Sequence, residues 1–253
     1  MQADVRMYVA GNQSGISGPY PRCNPLVDVR KYVDDLSSLP SRICGRRAVM
    51  IVAVMNLKGG VGKTTLATLM ASVLADQDSP ALLIDLDPQA SSAGWMKDTS
   101  PSGIDLLLGP SRPNARKLAD AANGYQHVVI DLPPRLDDAN MVATLISDIV
   151  LVPVVPGQFD LNATSLTMKL LNAAKQNRPQ LDWRFVGNRI KETKLSKQLL
   201  EALKETGKLA KTRIKDRAAY AEWSQGKIRR GVAIHDVEKL VEEIEGVVGR
   251  AEG

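Results

Sequence analysis

The stretch Lys58-Gly59-Gly60-Val61-Gly62-Lys63-Thr64-Thr65 has the residue types and spacing to hold phosphate. It follows the apolar run VMIVAVMN (49–56) and precedes TTLATLMASVLADQ (64–77), whose apolar spacing is helical. A strand, a glycine-rich loop and a helix in that order form the setting a phosphate loop needs. Glycine lets backbone N–H groups close around phosphate oxygens, and the start of the helix adds the positive end of its dipole. Lys63 is spaced to reach the β- and γ-phosphates, and Thr64 to offer its hydroxyl to Mg²⁺. The common pattern has Gly where this chain has Leu57, so the loop is a variant, and it carries a second lysine, Lys58. All eight positions from Lys58 to Thr65 are read as nucleotide contacts.

Two carboxylate-bearing runs follow. LLIDLDPQ has Asp85 inside an apolar run and Asp87 at its C-terminal end, and VVIDLPP ends its run on Asp131. In an open α/β sheet, ligands bind outside the carboxyl ends of the strands. Asp87 is therefore expected to hold a Mg²⁺-bound water or to orient the attacking water, and Asp85 to be buried and structural. Asp131 is expected to meet Mg²⁺ through water. The candidate catalytic residues are Lys58, Lys63 and Asp87, and the candidate metal residues are Thr64, Asp87 and Asp131.

The elements that must position these residues are visible from residue 49 onward. Apolar runs at 49–56, 81–87, 127–133, 148–155 and 183–190 alternate with amphipathic stretches such as 64–77 and 161–177. Runs dense in Val, Ile and Leu on both faces are strands buried between helix layers. The pattern predicts an α/β fold of the P-loop NTPase type over residues 49–253, a twisted, mainly parallel sheet flanked by helices on both faces. Residues 1–48 are rich in Gly and Pro and are expected to be a loop-rich or partly disordered extension, with a short helix around 26–37. Met50 opens the first strand directly, so this leader reads either as an extension or as a consequence of start-codon choice, with a regulatory or DNA-contacting arm as the functional alternative.

Composition excludes several classes. The 253 residues are 44% apolar and 24% charged, enough for a sizeable core. No apolar run approaches the roughly 20 residues of a membrane span, and the N-terminus lacks a basic-then-apolar signal pattern. Cys23 and Cys44 are the only cysteines, so a Cys-based metal or Fe–S site in the main body is excluded. His127 and His235 lie far apart in sequence, which argues against a histidine metal centre. Aromatics at 4% argue against base-stacking platforms. The net charge of +5 is unevenly spread. Residues 184–231 hold 14 Lys or Arg and 5 Asp or Glu, a local net of +9, which leaves −4 elsewhere. Lys211, Arg213, Lys215 and Arg217 form one cluster there; Lys227, Arg229 and Arg230 form another. Such clusters suit sequence-independent phosphate contacts with DNA.

Together these motifs resemble the deviant Walker A ATPases of the ParA/MinD group. KGGVGKTT with its extra Lys58, IDLDPQ and VVIDLPP stand in that family's order over residues 49–231. DLDPQASSAGW (85–95), VPVVPGQFDLNATS (152–165) and IKDRAAYAEWSQGK (214–227, like the family's late helix) bring the chain nearest to small ParA-type partition ATPases such as ParF. The resemblance implies ATP and Mg²⁺ as cofactors, slow ATP hydrolysis, and a nucleotide-sandwich homodimer in which Lys58 reaches the partner copy's phosphates. It implies an adenine contact at Asn188, in VGNRI at a strand end, where a plain loop asparagine is the alternative. It further implies non-specific DNA as a partner, a ParB-type or small centromere-binding protein that stimulates hydrolysis, and a cytoplasmic, nucleoid-associated location. A positioning ATPase for another cargo is the alternative function, and a MinD-like membrane-cycling ATPase a more remote one. Against the last, the C-terminal segment VEKLVEEIEGVVGRAEG has an apolar stripe at Val237, Leu240, Val241, Ile244 and Val248 but a mainly acidic polar face, which anionic lipid repels. It is expected to be a packing helix.

Overall fold

A computed structural model describes residues 50–75, 80–99, 103–109, 113–135, 137–157, 161–224 and 232–249. The leader, its expected helix, and the cluster Lys227, Arg229 and Arg230 lie outside the described residues.

Six strands form one sheet: β1 (Met50–Val54), β2 (Ala81–Asp85), β3 (Ile104–Leu108), β4 (His127–Asp131), β5 (Ile149–Val154) and β6 (Asp182–Gly187). Their order is β3-β2-β4-β1-β5-β6, and every pairing is parallel. Parallel strands need crossovers, and the described helices α1 (Lys63–Leu74), α2 (Ser91–Thr99), α3 (Ala115–Ala122), α4 (Asp138–Ile146), α5 (Leu161–Asn177), α6 (Lys194–Glu205), α7 (Ala218–Ser224) and α8 (Val232–Val248) lie among and after them.

Alternate strand residues feed two separate cores. Val52, Val54, Leu83, Val129 and Leu151 pack with Leu66, Leu69 and Met70 of α1 and with Val237, Leu240 and Ile244 of α8. Ala53, Ile84, Ile130, Val150 and Val152 pack with Leu118 of α3, Leu145 of α4, Leu171 of α5 and Leu203 of α6. Both faces of the central strands are thus buried, which is why they read as unbroken apolar runs. The stripe on α8 is spent on this packing, since Val237, Leu240, Val241 and Ile244 are all buried.

Two local readings need correction. The five expected strands are joined by a sixth, β3. It is an edge strand with Asp105 and Leu108 exposed, so it lacks the two-sided apolar run that marks the others. Of the segment 214–227, likened to a helix, Ala218–Ser224 is helical, 214–217 are not, and 225–227 lie outside the described residues. Residues 208–216 lie beside β6 and its following loop, with a bend at Lys211, because the backbone finds its partners there: Ala210 N–H donates to Phe185 O (2.8 Å), Ile214 N–H to Gly187 O (2.8 Å), and Asp216 N–H to Ile190 O (3.0 Å). An extended segment with tertiary hydrogen bonds outcompetes local helix propensity.

Candidate nucleotide-binding site

Register brings three strand ends together. Asp131 pairs with Val54 on one side and with Asp85 on the other, so β1, β2 and β4 end at one level. The loops that follow open at one edge of the sheet.

After β1 the chain forms the phosphate loop. Asn56 shapes its start: its side-chain N–H donates to Pro153 O (2.7 Å), and its Oδ1 accepts from Lys58 N–H (2.9 Å). Gly62 sits at φ 86°, a left-handed conformation that turns the loop into α1 without a side-chain cap. The first N–H groups of α1 therefore face whatever lies in the loop. An added Cβ at Gly59 or Gly60 would meet nothing within 4 Å, so there is open space beside both glycines. At Gly62 it would sit 2.6 Å from Asn188 Nδ2.

Lys63 is buried at the start of α1, and its Nζ reaches back to Lys58 O (3.4 Å). Burial lowers its pKa, while the charges of Asp131 and Asp87 oppose that fall. Thr64 donates its hydroxyl to Asp131 Oδ2 (2.5 Å). Asp131 is 1% exposed, and its other oxygen, Oδ1, is buried with no hydrogen-bond partner. Burial pushes its carboxyl up to about 7; the Thr64 hydrogen bond pulls the other way, and the negative charge of Asp85 adds to the rise. A buried carboxylate oxygen lacking a donor, beside a threonine hydroxyl, suits a hard cation that takes oxygen ligands. Thr64 and Asp131 thus fit Mg²⁺.

Asp85 turns its carboxylate to the loop after β2. It accepts from Asp87 N–H (2.9 Å), from Ser92 N–H (3.1 Å) and from the Ser92 hydroxyl. Asp87 is half-exposed in that loop, and its Oδ1 accepts from Gln89 N–H (3.0 Å). The loop after β4 is held by Asn140, fully buried in the first turn of α4, whose Nδ2 donates to Arg135 O.

Asn188 follows β6 directly beside the phosphate loop. Its Nδ2 donates to Val61 O (2.7 Å), and its Oδ1 accepts from Arg189 N–H (3.0 Å). It also lines a cavity of about 320 Å³ with Gly62, Thr65, Asp216, Arg217 and Tyr220. That volume lies in the range of ligand pockets, and the cavity adjoins the phosphate loop at Gly62 and Thr65. Asn188 therefore fastens the loop as well as lining the cavity.

The four basic residues of the 211–217 cluster do not share one environment. Lys211, Arg213 and Lys215 are exposed at alternate positions of the extended segment, with Ile214 buried between the last two. Arg217 faces the cavity, and its guanidinium is committed to Asp236 (3.3 Å from both Nε and Nη2), which removes it from the exposed set. Sequence reasoning missed Asn56, Asn140 and Asp236. The available signals were an asparagine two residues ahead of the loop lysine and an Asp–Asp–Ala–Asn helix start.

Fold and site together define a nucleotide-binding domain of the P-loop class. Residues 52–228 match the CobQ/CobB/MinD/ParA nucleotide binding domain, and the chain belongs to that family. Among curated proteins it is similar to the maintenance of carboxysome distribution protein A of Gloeobacter kilaueensis, 40% identical over 113 residues, which are 44% of this chain and 51% of that protein. The chain thus spans about half the length of that relative. Two solved structures share the fold. A plasmid partition protein of Borrelia burgdorferi bound to AMPPNP has a TM-score of 0.64 at 20% identity, over 78% of this chain and 99% of that one. Cobyrinic acid a,c-diamide synthase of Mycobacterium smegmatis, with bound ATP analogue and magnesium, has a TM-score of 0.61 at 19% identity, over 78% and 94%.

Proposed function

We propose that this chain is a partition or positioning ATPase, switched by nucleotide between DNA-bound and free states. The observation that carries the reading is a phosphate loop with two lysines, set beside the hydrogen-bonded pair of Thr64 and the buried Asp131. ATP would lie with its phosphates against Gly59, Gly60, Val61, Gly62 and Thr65 and its base towards Asn188 in the adjoining cavity. Both structural neighbours described above bind ATP analogues, one of them with magnesium. Mg²⁺ held by Thr64, with Asp131 and Asp87 through water, would neutralise phosphate charge. Lys63 contacts the terminal phosphates of its own nucleotide. Lys58 is supplied across a dimer to the partner copy's nucleotide, as an arginine finger is. Asp87 orients the attacking water from the solvent-open side of the site.

In this reading Lys211, Arg213 and Lys215, with Lys227, Arg229 and Arg230, bind DNA phosphates without sequence preference. A ParB-type or small centromere-binding protein stimulates hydrolysis and release. DNA binding measured with ATP, with ADP and without nucleotide tests this: strong binding is expected with ATP alone, and equal binding in all three states would sink the switch.

The likeness to a carboxysome distribution protein favours a second cargo, a protein assembly carried along DNA rather than a DNA molecule. The same DNA assay holds for both cargoes, because cargo is chosen by the partner's surface. A membrane-cycling reading is disfavoured by the burial of the α8 stripe. Vesicles of anionic lipid are expected to leave the ATP-loaded protein in the supernatant.

A further inference from the structure

The stretch Lys211–Arg217 has two faces with different tasks. On one side Asp216 and Arg217 line the cavity beside the phosphate loop. On the other, Lys211, Arg213 and Lys215 are exposed. Three exposed cations at alternate positions within five residues make a short cationic ridge. The same few residues border the nucleotide's cavity and carry the positive charge.

Two carboxylates of α8 hold the stretch at separate points. Glu243 accepts from Lys211 N–H and Thr212 N–H, both at 2.8 Å, at the end far from the cavity. Asp236 accepts from Lys215 N–H (3.1 Å), from the Arg217 guanidinium, and from the Tyr220 hydroxyl (3.4 Å). Arg217 and Tyr220 both line the cavity, whereas Lys215 is the last residue of the ridge. One buried carboxylate therefore ties the cavity wall to the ridge. Burial works against its ionisation, yet the hydrogen bonds from Arg217 and Lys215 keep its carboxyl below the ordinary range.

We propose that Asp236 is a positioning residue that couples occupation of the cavity to the geometry of the Lys211–Arg213–Lys215 ridge, so that affinity for a polyanion follows the nucleotide. The inference rests on the DNA reading above. A nucleotide that moves Arg217 or Tyr220 moves their shared acceptor, and with it the backbone of Lys215. Glu243 holds Lys211 and Thr212, neither of which lines that cavity, so it sets the ridge without reporting on the nucleotide.

The two anchors give a contrast that a merely structural role would not produce. Short duplex DNA of random sequence is the probe, titrated against the full chain with a non-hydrolysable ATP analogue and with ADP. For Asp236→Asn, the ratio of the two affinities is expected to collapse at least tenfold towards one, with fluorescent-nucleotide affinity kept within about threefold. For Glu243→Ala, DNA affinity is expected to fall in both states with the ratio kept. Tyr220→Phe, which deletes a single hydroxyl, gives a milder form of the Asp236 effect if Asp236→Asn does not fold. A full ratio in both Asp236→Asn and Tyr220→Phe overturns the coupling. A ratio near one in the unmodified protein overturns the DNA-switch reading itself, which keeps the two failures apart.

Discussion

The Asp131 carboxyl stands at about 7 instead of its ordinary 3.8, first because it is buried and then because Asp85 and Asp87 add negative charge; Thr64 and Lys63 pull against the rise. The direction fixes a stability profile for the nucleotide-free, metal-free protein. Between pH 4 and pH 7 the folded chain keeps a proton that the unfolded chain has released, so this group makes stability fall as pH rises through that window. Below the window both states are protonated, and above it both are ionised, so the effect levels off. A tenfold weaker tendency to ionise corresponds to about 1.4 kcal/mol. Asp131→Asn holds the proton-like state permanently and keeps a donor and an acceptor near Thr64. Urea midpoints measured in a metal chelator from pH 4 to pH 8 are expected to lose most of this slope in the variant, leaving it the more stable protein at pH 8. An unchanged slope would mean that the carboxyl ionises freely. Addition of Mg²⁺ and nucleotide should stabilise the parent above pH 7 more than the variant, because the variant lacks the Asp131 carboxylate that attracts the cation.

Elements matter here through where they end. β1, β2 and β4 finish in register, and the phosphate loop turns through a left-handed glycine into α1. Gly62→Ala would impose strain of roughly 1–3 kcal/mol, and its methyl would displace Asn188 Nδ2 from Val61 O. Gly59→Ala meets nothing and has an unrestricted backbone. Thermal melts without nucleotide should therefore separate the two, with Gly62→Ala lowered by several degrees and Gly59→Ala close to the parent; equal melts would remove the steric argument. Much of this architecture was legible in the residues. Strands buried on both faces leave dense Val, Ile and Leu runs, and a loop of Gly and Lys between strand and helix has few other uses. What stayed hidden was what depends on tertiary partners. β3 is an edge strand with polar and exposed positions, so its five residues carry no clear period. The extended run 208–216 is held by β6 and by Glu243 and Asp236, and nothing local announces those bonds. The clamp from Asn188 to Val61 joins residues 127 apart in sequence.

At the scale of the whole molecule, charge and symmetry carry the argument. Within the basic segment 184–231, the 211–217 cluster divides into an exposed ridge of Lys211, Arg213 and Lys215 and an internally satisfied Arg217. If each ridge cation meets one DNA phosphate, replacing all three by Gln should reduce the slope of log affinity against log salt by about 2.7 per chain; an unchanged slope would exclude the ridge from the contact. The proposed dimer makes a sharper demand. Lys63 is buried and turned towards its own loop, whereas Lys58 is half-exposed. A Lys63→Ala chain should fail to bind ATP, and a Lys58→Ala chain should bind ATP yet fail to hydrolyse it. Mixed together they offer one complete site: ATP on the Lys58→Ala copy, with Lys58 supplied by the Lys63→Ala copy. Steady-state phosphate release from the mixture is then expected to exceed the sum of the separate chains and to peak near equal proportions. A lysine acting only on its own nucleotide would leave the mixture as inactive as its parts.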